Sequence, residues 1–67
     1  MTTRLQALKT VQTMQMDALA EAAHLAELAD LNDLDGSGAQ GRGVDLMRHL
    51  QELETEILVE QARNSHA

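Results

Sequence analysis

Gly36-Ser37-Gly38-Ala39-Gln40-Gly41-Arg42-Gly43 holds all four glycines of this 67-residue chain. Glycine loses more freedom than any other residue when it enters a helix, and it takes turn conformations cheaply. The stretches on either side are built from Ala, Leu, Met, Gln and Glu, the strongest helix formers, with few β-branched residues and no proline. The glycine segment therefore reads as a turn over residues 36–43. It joins a helix of about 3–34 to a helix of about 44–63, with 64–67 as a loose tail. The whole chain, 1–67, is predicted to be one all-α domain, a two-helix antiparallel hairpin.

Working outward from the turn, the first helix places Leu5, Leu8, Val11, Ala18, Leu19, Ala22, Ala23, Leu25, Ala26 and Ala29 on one broad face. Thr2 or Thr3 suits its N-cap, because a threonine oxygen accepts a bond from a free first-turn N–H. Gly36 marks its end. The second helix carries Leu46, Leu50, Leu53 and Ile57 at steps of four and three, widened by Met47 and Leu58. Glu52, Glu54, Glu56 and Glu60 flank that stripe. Ser37 and Gln40 have capping-box spacing, which would start this helix near residue 38. Gly41 and Gly43 would then lie inside it, each costing about 1 kcal/mol against alanine. The balance predicts a weak, fraying start over 39–44.

The predicted hairpin seam is Leu19, Ala22, Leu25 and Ala29 against Leu46, Leu50, Leu53 and Ile57. With the turn centred in 36–43, Leu53 falls opposite Ala22 to Leu25, and Ile57 opposite Ala18 to Ala22. The second helix is then used up near Met14, and Leu5, Leu8 and Val11 lack an intramolecular partner. Met14, Leu28 and Leu31 lie outside the main stripe. Leu5, Leu8, Val11 and Met14 are accordingly predicted to face a partner, and the hairpin to associate into a larger helical assembly. Size and composition agree. A chain this short has little core, and it has no cysteine for a disulfide and no Phe, Trp or Tyr to fill one.

Eleven acidic residues against five basic ones give a net charge of −6. The cations needed to neutralise phosphates or to hold an anionic membrane surface are few and scattered, so neither nucleic acid nor membrane is an expected partner. No apolar run spans a bilayer or forms a secretory core after Met1-Thr2-Thr3-Arg4, and a cytoplasmic protein is expected.

Several motifs touch chemistry without completing it. Asp33-Leu-Asp35-Gly-Ser37-Gly38 matches the first half of a calcium loop, whose oxygens at alternate positions converge on the ion. The twelfth position, which should supply a bidentate glutamate, is Val44. Gly36-x-Gly38-x-x-Gly41 has dinucleotide-fingerprint spacing, but a helix precedes it where that motif requires a strand. His24 and His49 fall at comparable height on opposite helices with no third ligand nearby, His66 lies in the tail, and no Glu-x-x-His pattern occurs. No nucleophile is paired with a base. No catalytic residue, cofactor or metal is therefore expected.

The chain resembles the small YscE/EscE/SsaE-type co-chaperones of type III secretion systems. The features shared are a Met1-Thr2 start with Leu5 and Leu8, an Ala/Leu-rich first helix, a polar glycine turn near the middle, and Leu53-Glu54-Thr55-Glu56-Ile57 in the second helix. The Asp-bearing, glycine-rich turn departs from that pattern. The resemblance implies a non-enzymatic hairpin that binds a tetratricopeptide-like chaperone, the two together keeping the needle subunit soluble before export. The layout is also similar to Rop-type plasmid regulators, acidic hairpins that homodimerise into a four-helix bundle and bind RNA. The clustered cations and aromatic of their RNA face are missing here. A homodimeric structural or phage adaptor is a third possibility.

Overall fold

The computed structural model describes residues 3–65. Two helices account for nearly all of it: α1, Arg4–Leu31, and α2, Ser37–Ser65. They run antiparallel, packed along their length, as the sequence predicts.

Local chemistry sets the start of α1. The Thr3 hydroxyl oxygen accepts from the Gln6 N–H at 3.1 Å, while Gln6 Oε1 accepts from the Thr3 N–H at 3.0 Å. This reciprocal capping box satisfies two orphan donors at once. The far end is closed differently from the expectation. The Leu34 N–H donates to the Ala29 carbonyl at 2.7 Å and the Asp33 N–H to the Asp30 carbonyl at 3.3 Å. That bonding pair defines a Schellman turn, which demands a left-handed residue. The residue is Asp33, with φ 56°, and not Gly36. Aspartate tolerates this region better than most side chains.

The turn therefore ends where it was predicted to begin. Gly36 offers its carbonyl to the Gln40 N–H at 3.0 Å, and α2 begins at Ser37 instead of near 44. Asp35 Oδ1 accepts from the Ser37 N–H at 3.0 Å, and this bond, with a second to the Ser37 side chain, holds the Asp35 carboxyl below its ordinary value. A predicted turn over 36–43 is replaced by one over 32–36, and residues 37–43 are helix. Asn64 and Ser65, predicted to open a loose tail, belong to α2; residues 66–67 lie outside the described residues.

Tertiary packing explains why a glycine-rich segment is helical. Gly36, Ala39 and Gly43 recur at steps of three and four and are partly buried, on the side of α2 that faces Ala22, Ala26 and Ala29. Small residues on both sides let the helix axes approach closely at the turn end. A Cβ on Gly36 would stand 3.2 Å from Ala29 Cβ and 3.4 Å from the Ala26 carbonyl oxygen, whereas one on Gly41 would meet nothing within 4 Å. Gly36→Ala is therefore expected to cost about 1 kcal/mol or more through overpacking. Gly41→Ala should stabilise by about 0.5–1 kcal/mol by favouring the helix. Urea midpoints of the two variants moving in the same direction would contradict this packing.

Moving the turn resets the register of the whole hairpin. Leu19 approaches Gly43, and at the open end Arg4 Nε lies 3.4 Å from Glu60 Oε2. The second helix thus reaches the first turn of α1 and is not used up near Met14. The resulting rod measures 55 × 21 × 12 Å, two helices wide and one deep. Its radius of gyration is 15.7 Å, against about 11 Å for a compact domain of this length.

Candidate protein-interaction surfaces

The seam is an unbroken three-four repeat on each helix. On α1 it comprises Leu5, Leu8, Gln12, Gln15, Leu19, Ala22, Ala26 and Ala29; on α2 it continues from Gly36, Ala39 and Gly43 through Leu46, Leu50, Leu53 and Ile57 to Glu60. All of these are at least partly buried, and this is the spacing of a coiled-coil seam. Of the predicted seam, Leu19, Ala22, Ala29, Leu46, Leu50, Leu53 and Ile57 take these positions. Leu25 does not: it is exposed, and Ala26 fills its place.

The predicted partner-facing set divides. Leu5 and Leu8 are half-buried on the α2-facing side, because α2 extends past them, so the length mismatch that left them unpaired does not exist. Val11 and Met14 are exposed, Met14 to 64%. Gln12 and Gln15 were not expected in the seam. Their signal was present in the spacing, since 12 and 15 are the positions that keep the repeat of 5, 8, 19 and 22 in phase. Gln15 Oε1 is buried without a hydrogen-bond partner among the described residues, a costly arrangement.

Two apolar surfaces lie outside the seam. The first is a stripe on α1 formed by Val11, Met14, Ala18, Leu25 and Leu28, also spaced for helix packing. Ala18 and Leu25 border a groove whose α2 wall includes Arg42. The second occupies the opposite face of the hairpin, where both helices contribute. Met16, Ala20 and Ala23 on α1 line a hollow of about 420 Å³ with Leu50, Gln51 and Glu54 on α2. An adjoining hollow of about 340 Å³, which shares Leu19 and Ala23, is closed on the α2 side by Val44 and Met47. Among the described residues Glu54 is the one charged residue lining these hollows.

The chemistry-bearing motifs are placed as follows. The calcium-like residues are pulled apart in role: Asp33 takes the left-handed turn position, Asp35 caps α2, and Ser37 is already helical. His24 and His49 are exposed on their helices, and His66 lies outside the described residues. Among the described residues no three His, Cys, Asp or Glu side chains are grouped to hold a metal ion. No described helix is long and apolar enough to cross a membrane. Comparison with protein-family models, curated proteins and solved structures finds no match.

Proposed function

We propose that this chain is a non-enzymatic protein-binding module whose exposed apolar stripes receive helices from other chains. The observation that carries the proposal is the imbalance of burial. Among the described residues only Ala22 and Ile57 are buried, while eleven large apolar side chains are exposed. Its accessible surface is 5266 Å², about 1,000 Å² more than a compact monomer of this mass exposes. That excess is close to what one partner of a standard interface covers.

The type III secretion resemblance gives the proposal a specific form. In it, the α1 stripe of Val11, Met14, Leu25 and Leu28 docks into the concave surface of a tetratricopeptide-like chaperone. The complex then supplies the apolar surface that keeps a needle subunit from polymerising before export. An amphipathic helix laid into a groove is a common mode of such recognition. Coexpression with a needle-subunit chaperone of that class tests it. A stoichiometric complex is expected, and Val11→Asp with Met14→Asp should weaken it at least about a hundredfold, since each buries a charge in an apolar contact. Helicity by circular dichroism should persist, because both side chains point away from the seam. Failure to form a complex, or equal binding by the double variant, rejects this form.

A further inference from the structure

We infer that the opposite face, Met16, Ala20 and Ala23 with Val44 and Met47, binds a second copy of this chain, the two hairpins packing with their turns at opposite ends. The patch sits near the middle of the rod, so a two-fold axis through it can superpose the apolar patch on itself. Such self-complementarity is what an isologous interface requires. Ala20, Ala23 and Gly43 keep this face low, allowing close approach, while the methionines repack easily.

Charge selects both the occupant and its orientation. The turn end carries Glu27, Asp30, Asp33 and Asp35, and no lysine or arginine occurs between Lys9 and Arg42. The open end holds Arg4, Lys9 and Arg63, three of the five cations, beside Glu52, Glu54, Glu56 and Glu60. The hairpin is thus acidic at one end and nearer neutral at the other. With the turns together, the two acidic ends would repel. With the turns opposed, each acidic end lies along the cation-bearing end of the other copy.

Side-chain positions agree with this choice. Lys9, Met16, Ala23 and Asp30 follow one another at intervals of seven on the same exposed line of α1, with Ala20 and Glu27 on the adjacent line. An axis near Ala20 places Lys9 of one copy beside Glu27 and Asp30 of the other. The stripe of Val11 and Met14 stays outside this interface, so the inference does not rest on the heterologous partner proposed above.

Sedimentation equilibrium of the intact chain, alone and at low salt, should show a dimer. The chain has no cysteine, so single-cysteine variants report the interface cleanly. Ala20→Cys should cross-link to itself with a short bismaleimide, whereas Ala18→Cys, on the other groove, should not. Lys9→Glu should raise the dissociation constant about tenfold, and Glu27→Lys with Asp30→Lys in the same chain should restore it. A monomer in sedimentation, equal cross-linking at Ala18 and Ala20, or an unchanged constant for Lys9→Glu overturns the inference. Loss of chaperone binding with the dimer intact would instead count against the function proposed above alone.

Discussion

Ile57→Ala is expected to destabilise the hairpin by about 3 kcal/mol, enough to unfold much of the population at room temperature. Among the described residues Ile57 is the one large side chain that the hairpin buries, at 7% exposure. Removing most of a buried isoleucine loses transfer free energy and leaves a cavity, a combined cost of about 2–5 kcal/mol in well-packed cores. Single cores in chains this short supply about that much net stability. The cavity cannot be refilled cheaply, because the neighbouring seam layers contain Leu5, Leu8 and Leu53, already committed to the same interface. Val59, two residues on, is 47% exposed and points away. Val59→Ala should change stability by less than about 0.5 kcal/mol. Urea titrations followed by circular dichroism decide the matter, and equal effects of the two substitutions would mean that the seam is wrongly assigned.

The second large effect has the opposite sign. Gln15→Leu is expected to raise stability by about 2 kcal/mol. Its Oε1 is buried in the seam without a hydrogen-bond donor, and an unsatisfied buried polar group costs about 1–3 kcal/mol. Leucine removes that cost and continues the apolar repeat between Leu8 and Leu19. Gln51→Leu provides the comparison. Gln51 is exposed on the groove wall, and its substitution adds apolar surface where nothing in the same chain covers it. At chain concentrations too low for dimerisation, the urea midpoint should rise for Gln15→Leu and stay near its original value for Gln51→Leu. If Gln15→Leu destabilises, its amide makes a bond that the isolated hairpin does not show, and the packing around it needs a polar layer.

These substitutions separate what the residues announce from what packing adds. Leu46, Leu50, Leu53 and Ile57 could be assigned to one buried stripe because their three-four spacing reports a helix face directly. A threonine cap at Thr2 or Thr3 is legible for the same local reason, and the structure takes Thr3. Met14 is legible as an exposed apolar residue from its wheel position, whereas Val11 falls on the main apolar face of the wheel and is exposed for a reason the wheel does not contain. Leu5 and Leu8 were misplaced only because an error in the turn propagated along the register, leaving them opposite nothing. Gln12 and Gln15 are not legible as seam residues, because a polar side chain gives no hydrophobic signal even where its spacing fits. The groove of Met16, Ala20, Ala23, Val44 and Met47 depends on which flanks of the two helices share a face, and one helix wheel does not contain that information.

The sequence by itself determined two amphipathic helices, a single break between them, and too little apolar bulk for a self-sufficient core. All three follow from composition and from spacing within one helix. The tertiary structure decided where the second helix begins. Four glycines in eight residues argue for a turn on intrinsic preference alone. Yet Gly36, Ala39 and Gly43 meet the alanines of α1 across a close contact that larger residues would not permit. That contact can offset a helix penalty of about 1 kcal/mol per glycine, and it exists only when both helices are in place.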